Sequence, residues 1–95
     1  YLVCYDICGE GAPVRLRKVY RTLRGFGEHL QYSVFRCRLT PMRLEELCGL
    51  LEDVIAPRLD QVLFVPLGHA ESPRAWRAFT LGVPVEAPER VVRIV

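Results

Sequence analysis

No run of the 95 residues reaches the ~18 consecutive apolar positions that a membrane-spanning helix needs, so no membrane partner is expected. The start, Tyr1-Leu2-Val3-Cys4-Tyr5, has neither the basic leader nor the long apolar core of a signal peptide. It also lacks a Met, and the numbering is therefore expected to begin inside a longer natural chain. Low-complexity tracts and internal repeats are missing, and 51% hydrophobic with 25% charged residues excludes a disordered or collagenous chain. What is left suffices for one domain and one modest core, burying roughly 60–70% of the unfolded surface.

Cys4, Cys8, Cys37 and Cys48 form no CxxC pair and no Cys/His cluster at zinc-ligand spacing. The chain is too apolar and too poor in loops for a secreted disulfide framework. Buried or half-buried free thiols in a reducing cytoplasm are expected, which makes the protein cytoplasmic.

Acid is missing where base is dense. From Gly11 to Gly27 there are five cations, Arg15, Arg17, Lys18, Arg21 and Arg24, and no carboxylate. From Pro41 to Asp60 the balance reverses, with Glu45, Glu46, Glu52, Asp53 and Asp60 against Arg43 and Arg58. The net charge of +2 hides this segregation, which says more about partners than the total does.

Tyr1–Ile7 is dense in aromatic and β-branched residues and reads as a strand with faces Tyr1/Val3/Tyr5/Ile7 and Leu2/Cys4/Asp6. Pro13 to Arg24 reads as a helix with the stripe Leu16, Val19, Tyr20 and Leu23. All five cations fall outside that stripe, Pro13 suits the first turn and Gly25 the stop. Leu30–Leu39 reads as a second strand. Thr40-Pro41 then opens a second helix to about Ile55, with the stripe Leu44, Leu47, Cys48, Leu51, Val54 and Ile55. Gln61–Leu67 reads as a strand buried on both faces. Ala75–Leu81 and Val91–Val95 read as short strands, joined by an irregular Gly82–Glu89 linker.

If Leu30–Leu39 and its surroundings hold a hairpin, the order is the split βαβ of an α+β, ferredoxin-like βαββαβ sandwich with an extra C-terminal strand. One domain over residues 1–95 is expected, with its core in 1–67 and the last strand and tail in 68–95. Both helices would cover one sheet face. The other face is too apolar to stay wet, which predicts a homodimer through the sheet or its edge.

Asp6 is the sharpest candidate, a carboxylate ending a strand with no other charge, where sites of open sheets gather. A turn or cap role near Gly9 is the bland alternative. One carboxylate makes a poor Mg2+ site, but a two-fold axis near Asp6 would supply a second from another copy. The pair could hold a metal that polarises a phosphate and acidifies water. The cationic helix face is a phosphate footprint or a plain solvated face. Arg36 and Arg38 either extend it or are ordinary surface. Ser33 sits in no nucleophile motif. His29 and His69 read as turn residues, and Tyr32, Trp76 and Phe79 as packing aromatics before base-stacking ones.

Tyr5-Asp6-Ile7 closing the first strand, the basic helix ending near Gly25-Phe26-Gly27-Glu28, Gln31-Tyr32-Ser33-Val34-Phe35, and Asp60-Gln61-Val62-Leu63-Phe64-Val65-Pro66-Leu67 together set a pattern. It resembles the small CRISPR-associated "Cas-two" family, the compact subunit of the spacer-acquisition machinery. The likeness runs from Tyr1 to about Leu67 and more loosely through Ala75–Gly82. It implies a ferredoxin-like homodimer that binds nucleic acid, protospacer DNA or RNA, beside the CRISPR integrase subunit, in some members as a Mg2+-dependent endonuclease. It also implies that Asp6 is the metal-binding, catalytic aspartate. Tyr5, Ser33 and Phe35 would support it, and Arg17 and Lys18 would match the family's helix cations. Many members carry Arg two residues before the Gln of that pattern; here the place is His29.

Four functions compete. They are a metal-dependent phosphodiesterase within the adaptation complex, a non-catalytic DNA-spacing scaffold of the same complex, a toxin-type ribonuclease of similar fold, and an RNA-recognition module. The last would need an RNP1-like strand, which Asp60–Leu67 lacks.

Overall fold

The computed structural model describes residues 1–83 and 91–93. Chain order is β1 (Leu2–Asp6), α1 (Ala12–Arg24), β2 (Gly27–Gln31), β3 (Val34–Cys37), α2 (Pro41–Glu52), β4 (Gln61–Val65), β5 (Ala78–Thr80) and β6 (Val91–Arg93). The first four strands form one sheet in the order β2-β3-β1-β4, antiparallel throughout. That is the ferredoxin-like α+β arrangement, with β3 inserted between the two parallel strands β1 and β2.

The 3.6-residue stripe of α1 puts Val19 and Leu23 fully inside and leaves Tyr20 half-buried. Leu16, expected in the core, is 42% exposed, because the stripe runs past the sheet edge into an open groove. Arg21 and Arg24 complement the dipole of the last turn. In α2, Thr40 accepts a hydrogen bond from the Arg43 N–H at 3.2 Å, and Leu47 and Leu51 are buried. The helix stops at Glu52, and Val54 and Ile55 follow as a turn bonded to the Leu51 carbonyl.

The register separates the two sheet faces. Val3 lies opposite Phe35 and Phe64, and Tyr5 opposite Val62; this face meets the helices, with Phe35, Cys37, Val3 and Leu47 in the core. Leu2 lies opposite Arg36 and Val65, Cys4 opposite Val34 and Leu63, and Asp6 opposite Gln61. On that second face no described residue forms a layer over Leu63 and Val65, which are 51% and 37% exposed. The expectation that β4 is buried on both faces is therefore corrected: a doubly apolar strand has only its Val62/Phe64 side covered within one chain.

The single expected strand Leu30–Leu39 is two strands. A turn at Tyr32-Ser33 separates β2 from β3, and the register shifts between His29 and Gln31. Tyr32 takes φ 38°, so the turn forms without Gly or Asn. β2 starts at Gly27 because the backbones touch there: an added Cβ would fall 2.3 Å from the Arg36 carbonyl oxygen.

β5 is shorter than expected. It pairs in parallel with β6 as a separate two-stranded sheet. Residues 84–90 of the expected linker, and Ile94 and Val95, lie outside the described residues. Among the described residues no helix is long and apolar enough to cross a membrane. All four cysteines are free; Cys8, expected to be at least half-buried, is exposed.

Candidate functional site

Asp6 ends β1 with its side chain exposed, on the open face of the sheet. The chain just after it is pinned by a buried acid. Asp60 has a solvent-inaccessible side chain. It accepts from Arg15 Nε at 2.8 Å, from the Ala56 N–H at 2.8 Å and from the Cys8 N–H at 3.2 Å. Arg15 also donates to the Cys8 carbonyl at 2.7 Å and the Glu10 carbonyl at 2.5 Å. The Cys8 thiol donates to the Leu59 carbonyl at 2.9 Å. The Arg15 hydrogen bond, with the two backbone donors, outweighs burial and holds the Asp60 carboxyl down at about 2. One carboxylate thus ties the β1–α1 loop, α1 and the α2–β4 connection together behind Asp6.

This corrects the place of Arg15. Four of the five guanidinium N–H groups of Arg15 are taken up by Asp60 and loop carbonyls, so it is no free phosphate ligand. Helical geometry hinted at it: Arg15 stands about 160° around the axis from Arg17, whereas Arg17, Lys18, Arg21 and Arg24 share about 120°. Asp60 was not singled out as a site residue, because its partner is 45 positions away in sequence.

The remaining α1 cations are exposed. Arg17, Arg21 and Arg24 line a groove of about 800 Å³ with Tyr5, Tyr20 and Tyr32, and none of the described residues that line it is acidic. Arg24 donates to the Tyr20 hydroxyl at 3.2 Å. Burial, with Tyr20 beside it, pushes the Tyr5 phenol above its usual range, so it stays a neutral hydroxyl. Ser33 also lines the groove, and its carbonyl accepts from the Tyr5 N–H at 3.1 Å.

The structure therefore gathers Tyr5, Ser33, Arg17, Arg21 and Arg24 at one groove and puts Lys18 on the adjoining surface. Asp6 is on the opposite sheet face. Phe35 supports the site only from the core, fully buried with its ring 5.5 Å from that of Tyr20. Arg36 and Arg38 do not extend the basic patch. Arg36 pairs with Glu28 and lies 5.2 Å over the Trp76 ring, and Arg38 pairs with Glu71.

A divalent cation is the group Asp6 would hold. An exposed carboxylate at a strand end offers the oxygen donors a hard cation takes. Among the described residues no three His, Cys, Asp or Glu side chains come together in a group that could hold a metal ion.

The model of the CRISPR associated protein Cas2 family matches residues 1–74. The chain belongs to the Cas2 family. A CRISPR-associated endoribonuclease Cas2 of Thermodesulfovibrio yellowstonii is 49% identical over 67 residues, covering 70% of this chain and 70% of that one. One from Rhodospirillum rubrum is 42% identical over 71 residues, 75% of this chain and 67% of that one. The crystal structure of Streptococcus pyogenes Cas2 superposes with a TM-score of 0.70 at 31% identity, covering 85% and 96% of the two chains. A hypothetical protein of Thermus thermophilus gives 0.73 at 30% identity, covering 93% and 94%. The Cas2 fold, its four-stranded antiparallel sheet and its two helices are thus those of this chain.

Proposed function

We propose that this Cas2-family chain is a Mg2+-dependent endoribonuclease that works as a homodimer in CRISPR adaptation, beside the integrase subunit and on protospacer nucleic acid. The observation that carries the reading is Asp6, exposed at the rim of a sheet face that also presents Leu63 and Val65 to solvent. A second copy covering that face would bury the apolar side chains, and a two-fold axis near Asp6 would bring two carboxylates together. The relatives' printed name, endoribonuclease, supports the activity.

Asp6 of each copy would hold the cation, which when bound supplies a Lewis acid to the scissile phosphodiester and acidifies water. The chain's own work is placement. The Asp60–Arg15 lock fixes the loop that leaves Asp6, so its carboxylate is held in position before substrate arrives. Arg17, Lys18 and Arg21 neutralise phosphates and set the strand's path without reading sequence.

A scaffold without catalysis is the second reading, favoured by the lack of any three-ligand metal cluster among the described residues. Cleavage of single-stranded RNA with and without Mg2+, in wild type and Asp6→Asn, separates the two. The endoribonuclease reading expects Mg2+-dependent cleavage that Asp6→Asn abolishes while RNA binding persists. Equal cleavage by both proteins, or none by wild type, contradicts it.

A further inference from the structure

Tyr32 is an odd residue to find at a hairpin tip. Its φ of 38° is in the left-handed region, which a bulky side chain enters only when its surroundings force it. Two contacts do so. His29 Nε2 lies 2.7 Å from the Tyr32 carbonyl oxygen, and because a carbonyl only accepts, Nε2 carries the proton. The adjacent Ser33 carbonyl is held by the Tyr5 N–H. The result is a fixed backbone presenting a ring that is 90% exposed. Packing does not account for the aromatic, since the ring has almost no buried surface to contribute.

Tyr32 lines the same groove as Arg17, Arg21, Arg24 and Tyr20. A flat aromatic residue and three arginines on one groove, with no carboxylate among the described residues that line it, complement one kind of ligand. That ligand joins an apolar planar group to negative charge. We infer that the groove between α1 and the β2–β3 turn is a subsite for one unpaired base of single-stranded RNA, stacked on Tyr32 with its flanking phosphates on Arg17 and Arg21. A paired base has no free π-face to offer, so duplex is excluded from stacking here. Tyr5 and Ser33 add hydroxyl-bearing side chains, which suit a ribose 2′-OH better than a deoxyribose. The choice of RNA rests on the endoribonuclease reading above; the stacking itself rests on Tyr32 and the groove.

The test uses a short single-stranded RNA carrying one 2-aminopurine, titrated in EDTA so that no cleavage occurs. Wild type quenches the fluorophore on binding. Tyr32→Ala removes the quenching and weakens binding about tenfold. Tyr32→Phe, which keeps the platform, behaves as wild type. The salt dependence is the same for all three, because no charge changes. Quenching and affinity unchanged in Tyr32→Ala overturn the subsite. Equal quenching with the same DNA sequence overturns the ribose preference, and equal competition by duplex RNA overturns the requirement for an unpaired base. Loss of the endoribonuclease reading shows instead as wild type that quenches normally and does not cleave in Mg2+.

Discussion

Replacing Arg17, Lys18 and Arg21 together by Gln removes three of the four α1 cations that face solvent, and leaves the Asp60–Arg15 lock intact. Each cation that neutralises a phosphate of a single strand contributes about 0.7 to the slope of log K against log salt. Three contacts on one protomer therefore account for a slope of about 2. Raising salt from 50 to 200 mM should weaken wild type about 15-fold more than the triple variant. Filter binding or anisotropy of a labelled single-stranded RNA across that salt range reads the difference. Arg15→Gln is the contrast: its guanidinium is committed to Asp60, Cys8 and Glu10, so the slope stays at the wild-type value while thermal stability drops. Arg15→Lys, which keeps the charge but loses the fork geometry, should share the stability loss and the slope. An unaltered slope in the triple variant, or a slope flattened equally by Arg15→Gln, refutes the division of the helix into a binding face and a locking residue.

Asp60 stabilises the fold fully above its ordinary value of 3.8, and that contribution is lost as the pH falls through about 2. An acid titration followed by circular dichroism should accordingly show a shallower stability loss over that interval in Asp60→Asn, from a lower starting stability. Phe35→Ala should cost about 3–5 kcal/mol in urea unfolding, a large share of the roughly 5–14 kcal/mol available to a chain this long; a cost below about 1 kcal/mol would deny Phe35 its core role. Burial pushes the Cys37 thiol up to about 11, so its stabilising contribution is complete below 9.0 and is lost as the pH rises through 11. Iodoacetamide at neutral pH should label exposed Cys8 first and Cys37 last, read by peptide mass spectrometry.

Both helices were legible because their apolar residues recur without interruption: Val19 and Leu23, and Leu47 and Leu51, are buried as that period requires. The β2–β3 turn was not legible as a turn, since Tyr32-Ser33 offers no Gly, Asn or Pro, and its left-handed residue is held instead by the His29 side chain three positions back. The apolar run of β4 fits a strand buried on both sides equally well as one with a bare second face, so sequence alone could not choose. Asp6 and the basic face of α1 stood out by local charge pattern. Asp60 did not, because what makes it matter is convergence of Cys8, Arg15 and Ala56 on one buried carboxylate.

If two Asp6 carboxylates serve one cation, mixed dimers must show it in their activity. Wild-type and Asp6→Asn chains, mixed after unfolding and refolded together, are assayed for Mg2+-dependent RNA cleavage. If each active centre needs Asp6 from both copies, an equal mixture retains about a quarter of the wild-type activity, because only wild-type pairs are competent. Retention of about half, the value for centres that each need a single Asp6, contradicts the account.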